Sequence, residues 1–259
     1  MKLKVLSALV LALALNSCSD DADPVVDNTV THFGTAIKIG DDSARTYVKV
    51  DDNGNPTAIG IAIDHDAMTN IPEQGPFGSS FTLPIPNEGN SKLPFKHITF
   101  DYNPSGHEPG PFMVEHFDAH FYTMTATEVA GIDLDSNKMY KEPNQSDVPA
   151  RYTGYVNAGP LGRIAVGGVP MMGWHFSDST QVVTNFDHVF IYGFYNGKMN
   201  FLEPMVTKAF LTAGTSVTRD IPQPQTYINS GNYWPTKYTI RHDAATNRHY
   251  IEMHGLVQR

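Results

Sequence analysis

The sequence predicts a mostly β protein, an antiparallel β-sandwich or barrel with two short helices. The chain contains 14 Phe, 12 Tyr, 21 Gly and 18 Pro, a composition that favours strands and turns over long helices. Short segments in which apolar and polar residues alternate recur between turn residues. No internal repeat and no linker divides these segments, and we therefore expect one domain over residues 31–259.

Three hairpins are the clearest local predictions. Two of them contain an Asn-Gly pair between alternating segments, and Asn-Gly adopts the positive φ angles that tight hairpin turns require. The predicted hairpins pair residues 45–50 with 57–63, 188–195 with 198–203, and 238–242 with 249–256. Further strands are expected at residues 96–102, 112–122, 152–156 and 163–166.

The two helices are predicted from their first residues. Thr125 and Glu128 have the spacing of a capping box, which starts a helix that should run to about Ile132. Pro204 suits the first turn of a second helix over residues 205–211, which would place Glu203 at a strand-to-helix junction. Residues 69–94 are rich in Pro, Gly, Ser and Asn and are expected to form a long surface loop, and residues 135–150 an irregular segment.

The N-terminus has the pattern of a bacterial lipoprotein signal peptide over residues 1–17. Lys2 and Lys4 precede a short apolar run that is about half the roughly 20 residues needed to span a bilayer. Cys18 follows Asn16 and Ser17 in a sequence that resembles a lipobox, and it is the only cysteine in the chain. We expect lipid attachment at Cys18; the alternative is an ordinary signal peptide followed by an unrelated cysteine.

A short acidic segment follows Cys18. Residues 18–30 are interpreted as a flexible tether, and its Ser-Asp-Asp-Ala-Asp sequence resembles the export signal of bacterial surface lipoproteins. The expected location is therefore the outer membrane, at the cell surface rather than the periplasmic face. Acyl chains contribute about 0.8 kcal/mol per buried methylene, so lipid on Cys18 would make the membrane a partner of the protein.

The charge balance argues against a nucleic-acid partner. The formal net charge is −9, and removal of residues 1–17, which contain two lysines and no acid, would leave −11. Binding to phosphates needs clustered basic residues.

The most informative segment for chemistry is the strand that contains residues 116–122. Side chains alternate between the two faces of a strand, so His116, Asp118, His120 and Tyr122 share one face. The intervening Phe and Ala residues form an ordinary core face. Two imidazoles and a carboxylate at this spacing predict a metal site, with His116, Asp118 and His120 as ligands and His107, His175 and Glu203 as further candidates.

The spacing limits how these residues could share an ion. Residues two apart on a strand are separated by about 7 Å, and His116 and His120 by about twice that, so ligands from other segments or a bulge would be needed. Alternatively, Asp118 accepts an imidazole N–H and orients the ring. Imidazole with carboxylate favours zinc, iron, manganese or nickel over calcium. In an enzyme, the metal would activate water, with Asp118 or Glu203 as the catalytic base.

Other chemistries lack their motifs. The sequence contains no His-Glu-x-x-His, no Gly-x-Ser-x-Gly and no Gly-Lys-Ser/Thr phosphate loop, and lipidation of Cys18 would remove thiol catalysis. The polar row of the strand could instead be a hydrogen-bonded network or an exposed face. The remaining histidines that we considered are interpreted as surface or strand residues: His32, His65, His97, His242, His249 and His254.

Several segments together resemble a bacterial family of secreted and lipoprotein domains of unknown function. The resemblance rests on residues 107–109, 116–122, 201–211 and 233–238, and its hallmark is a His-Phe-Asp-Phe-His-Phe-Tyr-like strand. It covers roughly residues 33–259. It implies a β-rich secreted fold that forms homo-oligomers, and it implies no activity.

Two functional hypotheses follow, and whether the protein is an enzyme stays open. The first is a lipid-anchored envelope protein that binds a divalent metal through the His-x-Asp-x-His strand. The alternative is a non-catalytic binding or structural lipoprotein that contacts a glycan, an envelope component or a second copy of itself. A periplasmic sensor that uses histidine protonation would rest on the histidine count alone.

Overall fold

The computed structural model describes residues 28–75, 78–108, 110–180 and 186–259. The predicted signal peptide, Cys18 and all but the last three residues of the predicted tether lie outside these ranges. The strands are β1 (Val30–Phe33), β2 (Ile37–Lys38), β3 (Ser43–Val50), β4 (Pro56–Asp64), β5 (Ser79–Leu83), β6 (His97–Asn103), β7 (His116–Tyr122), β8 (Tyr152–Thr153), β9 (Tyr155–Asn157), β10 (Arg163–Ala165), β11 (Gly168–Val169), β12 (Gly173–Asp178), β13 (His188–Tyr195), β14 (Lys198–Thr207), β15 (Val217–Asp220), β16 (Tyr233–Trp234), β17 (Lys237–Asp243), β18 (Arg248–His254) and β19 (Val257–Gln258).

The helices are short. The α-helices are α1 (Ala126–Ala130), α2 (Ser136–Met139) and α3 (Lys208–Thr212). The 3-10 helices are His65–Met68, Asn90–Lys92, Gly110–Phe112, Gln145–Asp147 and Gly159–Leu161. Within the described ranges, no helix has the length and apolar character needed to cross a membrane.

Two antiparallel sheets form a β-sandwich, as the sequence predicted. The first has the strand order β1-β3-β4-β18-β17-β15, with β2 beside β3. The second has the order β11-β12-β13-β14-β7-β6-β5, with β8 beside β12. Ile61 and Ile251 of the first sheet share one buried apolar cluster with Phe117 and Phe194 of the second, so the core lies between the sheets.

The predicted hairpins are present. Gly54 has a φ of 69° between β3 and β4, and Asn196 and Gly197 have φ values of 50° and 75° between β13 and β14. Two consecutive positive φ values match the turn that an Asn-Gly pair favours. The third hairpin joins β17 to β18, with His242 opposite His249.

The long loop predicted for residues 69–94 is wrong in part. It contains β5, an edge strand of the second sheet that pairs with β6. Ser79, Phe81 and Leu83 are buried while Ser80 and Thr82 are exposed, which is the alternation of a strand with one buried face. The Pro and Gly residues around this five-residue segment concealed its pattern.

The predicted second helix begins later than the sequence indicated. β14 continues through Pro204 to Thr207, whose side chain accepts a hydrogen bond from the Phe210 N–H and starts α3. Pro204 lies where the paired register between β14 and β7 is interrupted, and the absence of an N–H makes proline tolerable there. Glu203 is therefore inside a strand and not at a strand-to-helix junction. Helix α2 also falls in the segment that we expected to be irregular.

Candidate functional site

The polar row of β7 lies on the side of the second sheet that faces away from the sandwich core. Every residue of β7 is buried, so this second side is also covered. A separate apolar cluster covers it, and its members include Val129 of α1, Phe186, Phe201 of β14 and Tyr122. The polar residues of β7 are therefore part of a second, smaller interior.

Strand register brings the other predicted residues to this row. Leu202 of β14 lies opposite Phe121, and Met205 lies opposite Asp118, so the same register places Glu203 beside His120. Further along the same sheet, beyond β14, His175 of β12 lies opposite Gly193 of β13. A Cβ at Gly193 would overlap with the Phe201 ring, so glycine at this position leaves room for that ring beside His175.

The six residues that the sequence singled out form two groups of three. The first group consists of His107, His116 and Asp118, and the second group consists of His120, His175 and Glu203. Within each group, one candidate ligand atom per residue lies within 4.8 Å of the other two. His116 and His120 belong to different groups, in keeping with their separation along β7.

The first group centres on the Asp118 carboxylate. His116 Nε2 lies 3.2 Å from Asp118 Oδ1, and His107 Nε2 lies 3.5 Å from Oδ2. Asn103 of β6 donates a 2.8 Å hydrogen bond from Nδ2 to Oδ2 and so fixes the carboxylate. Asp118 thus presents one oxygen to each imidazole.

The second group repeats this arrangement around Glu203. His120 Nε2 lies 3.5 Å from Glu203 Oε1, and His175 Nε2 lies 3.7 Å from Oε2. Phe201 packs against the rings of both histidines, with centroid distances of 4.8 Å to His120 and 4.9 Å to His175. Each group is therefore a carboxylate between two imidazole Nε2 atoms.

All four imidazoles are held through Nδ1. His107, His116 and His175 place Nδ1 at 2.9, 2.6 and 2.8 Å from the backbone carbonyl oxygens of Glu108, Val114 and Gly167. His120 places Nδ1 at 2.8 Å from Asp101 Oδ2. Carbonyl and carboxylate oxygens only accept, so Nδ1 must carry the proton in every ring.

This fixed tautomer leaves a bare lone pair on each neutral Nε2. In both groups Nε2 faces a carboxylate oxygen, so the pair is stabilised either by a second proton on the ring, which the raised pKa values of His107 and His120 favour, or by a metal cation between the two atoms. Four of the facing atoms are buried without a hydrogen-bond partner: His116 Nε2, Asp118 Oδ1, His120 Nε2 and Glu203 Oε2. Unpartnered buried polar atoms are costly, so this concentration needs an explanation.

The separations fit a metal ion better than a proton. A charge-assisted hydrogen bond between nitrogen and oxygen is about 2.7–2.9 Å long. Two ligands at about 2.0–2.2 Å from one tetrahedral ion are separated by about 3.3–3.6 Å. The four N–O separations of 3.2–3.7 Å lie around that second range. The residues present thus have the donor atoms, tautomers and spacing for divalent transition metals.

The pKa values of these buried groups depart from their ordinary ranges, some upwards and one downwards. Burial alone would lower the pKa of His120, but the Glu203 and Asp101 carboxylates raise it to about 9. Asp118 raises the pKa of His107 to about 9, also against the effect of burial. Burial, followed by the charge of His120, lowers the pKa of His175 to about 4. Burial raises the pKa of Glu203 to about 8.

One histidine of each group is partly exposed. The His107 side chain is 42% exposed and the His175 side chain is 20% exposed, whereas those of His116, His120 and Glu203 are almost completely buried. Each group therefore combines one partly exposed imidazole with two buried side chains.

Sequence reasoning missed the residues that orient the ligands. Asp101 and Asn103 of β6 hold His120 and Asp118, and Thr99 donates a 2.9 Å hydrogen bond to Asp101. Thr99, Asp101 and Asn103 alternate along β6, of which the predicted strand over residues 96–102 included the first two, so the signal was the same period-two polar row that drew attention to β7. Tyr122, the fourth member of the β7 row, stacks on His120 and lies in neither group.

Comparison with known proteins gives one partial match. A family model described as "TTHB210-like: Hypothetical protein TTHB210" matches residues 51–102. The chain is similar to this uncharacterised family over β4, β5 and most of β6, a segment that includes Asp101 but none of the six grouped residues. Comparisons with curated proteins and with solved structures gave no significant match.

Proposed function

We propose that this β-sandwich binds divalent transition-metal ions, about one in each of the two groups. The observation that supports this most strongly is the fixed tautomer of the four histidines. Each Nδ1 is held by an acceptor, so each Nε2 lone pair points at a carboxylate oxygen. Zinc, iron and manganese are the ions that suit this mixture of imidazole and carboxylate.

Metal content tests the proposal. Protein purified without a histidine tag should contain at least two equivalents of transition metal by elemental analysis, and a chelator should lower its melting temperature. His116→Ala should remove the ion of the first group, and His120→Ala that of the second. His32→Ala, on β1 of the other sheet, is the matched control and should leave the content unchanged. Protein without transition metal, whose melting temperature is insensitive to the chelator, would contradict the proposal.

A hydrolytic activity is a second candidate, and the observation that favours it is the small number of protein ligands. Each group supplies three residues, one of them partly exposed, whereas structural zinc sites usually have four protein ligands. An ion held by these residues would supply Lewis-acid chemistry that lowers the pKa of water, with the proton released to solvent. Asp118 and Glu203, the two residues predicted as catalytic bases, would serve chiefly as ligands.

The activity requires a separate experiment. Metal-loaded protein should hydrolyse an activated ester or phosphate ester faster than the metal-free protein, and Glu203→Gln should lose the part of that rate that depends on the second group. Equal rates in all three samples would leave a non-catalytic binding protein, whose ligand is a glycan, an envelope component or a second copy of the chain.

We also propose that the domain is attached to the outer membrane through lipid on Cys18, with the surface as its expected location. The support is the sequence alone: the signal-peptide pattern of residues 1–17, the single cysteine and the acidic residues after it. Mass spectrometry of detergent-extracted protein should find acylated Cys18, and Cys18→Ser should release the domain into the soluble fraction. Recovery of unmodified Cys18 in the exported protein would contradict this.

A further inference from the structure

Three further histidines lie together at one end of the sandwich core, on the first sheet. His242 of β17 lies opposite His249 of β18, and the next pair towards the turn is Asp243 and Arg248. His249 shares a side of β18 with Ile251, a core residue, and it also lies opposite Ile63 of β4. His65 follows β4 directly and begins a 3-10 helix. His249 therefore continues an apolar row of the core, and His65 and His242 lie beside it.

The rings are in direct contact. His65 Nδ1 and His249 Nε2 are 3.0 Å apart, and the His242 and His249 rings stack with a centroid distance of 4.6 Å. One ring nitrogen from each residue lies within 4.8 Å of the other two. The Asn247 backbone carbonyl accepts a hydrogen bond from the backbone N–H of His65, so the turn between β17 and β18 fixes the position of His65.

His249 has an unexplained polar atom. It is 1% exposed, and its Nδ1 is buried without a hydrogen-bond partner. One proton satisfies only one of the contacts among three imidazoles, and an unpaired buried polar group destabilises a fold. A cation bound to one nitrogen of each ring would satisfy the contacts among the three imidazoles.

The neighbouring carboxylates are committed to other partners. Asp64 bonds Arg248 at 2.6 Å and Ser43 at 3.0 Å, and Asp243 accepts hydrogen bonds from Ala245 and Thr246. The candidate ligands at this place are therefore the three imidazoles alone.

We propose that His65, His242 and His249 form a separate, nitrogen-only binding site for zinc or another late divalent transition metal. The three protein ligands would leave further coordination positions for water or an anion. The absence of a carboxylate ligand distinguishes this site from the two groups on the second sheet, and nitrogen ligands select against magnesium and calcium. The site does not depend on the function proposed above, because it shares no residue with those groups.

Zinc binding to a variant without the other two groups tests this inference. Asp118→Asn combined with Glu203→Gln should still bind about one zinc per chain, and that zinc should be lost when His242→Ala is added. His32→Ala, added to the same double variant, is the matched control. Zinc should raise the melting temperature of the double variant and of its control, but not that of the triple variant.

Two results would overturn the inference. The double variant could bind no zinc, or the zinc that it binds could be retained with His242→Ala and also with His65→Gln. His65→Gln serves as the second variant because His242→Ala could impair folding, which circular dichroism of the metal-free proteins would reveal. Failure here leaves the metal content of the two groups on the second sheet unaffected, so the two proposals can fail separately.

Discussion

Glu203 Oε1 lies 3.5 Å from His120 Nε2 across the boundary between β14 and β7. The pairing of the two strands is interrupted at this point because Pro204 has no N–H, yet the register is the same on both sides of the interruption. The buried side chains of Glu203 and His120 therefore meet where the two strands have no paired residues in the ladder. This contact joins the polar row of β7 to the ligands from β14 and β12.

Glu203→Gln should weaken metal binding in the second group and spare the first. The amide keeps the shape of the side chain but removes the charge that His120 and His175 face. Total metal should fall by about one equivalent in elemental analysis. Glu88→Gln, at an exposed position, is the matched control. An unchanged metal content in Glu203→Gln would remove Glu203 from the proposed ligands.

Asp101→Asn should reduce the metal affinity of the second group by about 10–100-fold without changing the number of ions bound. Asp101 accepts the Nδ1 proton of His120, and its negative charge increases the basicity of Nε2. Calorimetric titration of the metal-free protein measures both quantities. Wild-type affinity in this variant would show that Asp101 does not support His120 as a ligand.

Gly193→Ala should destabilise the fold by about 1–3 kcal/mol, because the new methyl group would overlap with the Phe201 ring. Phe201 packs on His120 and His175, so displacement of its ring should also weaken metal binding in the second group. Denaturant unfolding and metal titration give the two effects. Gly75→Ala, where a Cβ would meet no atom within 4 Å, is the control. Equal stability of the two variants would contradict the steric argument.

Glu252→Gln should lower the free energy of unfolding at pH 7 by about 1–3 kcal/mol. The Glu252 carboxylate accepts a 2.7 Å hydrogen bond from Tyr47 and lies 2.8 Å from Lys49 Nζ. Burial alone would raise the pKa of Glu252, but these two partners lower it. The stabilisation is therefore present above the unfolded-state pKa of about 4.3 and is lost as the pH falls below it.

Unfolding curves of wild type and Glu252→Gln at pH 7 and at successively lower pH values measure this effect. The difference between the two proteins should shrink as the pH falls through the acidic range. A difference that is constant with pH would mean that the substitution acts through packing and not through the charge.

The sequence was sufficient for most strands and for the polar row of β7, because both depend on alternation along single strands. The His-x-Asp-x-His pattern of β7 indicated one polar face, and the register of the sheet then brought Glu203 and His175 to it. The division of the six residues into two groups was not predicted, since it depends on side-chain directions on β7, β12 and β14 and on the loop that contains His107. The turn that places Gly167 against His175 likewise lacks a sequence pattern.

Two errors of sequence interpretation have local causes. Pro204 has the typical position of a helix start, but a strand tolerates proline where its ladder is interrupted. His65, His242 and His249 were regarded as scattered because they are far apart in sequence. The predicted hairpin already placed His242 across from His249, so part of this cluster could have been found from the sequence.

The central claim is that divalent metals lie between the imidazole Nε2 atoms and the carboxylates of Asp118 and Glu203. Anomalous X-ray diffraction from crystals of untagged, zinc-loaded protein tests it most directly. We expect anomalous peaks at about 2.0–2.2 Å from His116 Nε2 and from His120 Nε2, each shared with its carboxylate. Crystals with no peak at either position, in which the imidazoles instead form hydrogen bonds to the carboxylates at about 2.7–2.9 Å, would contradict the proposal.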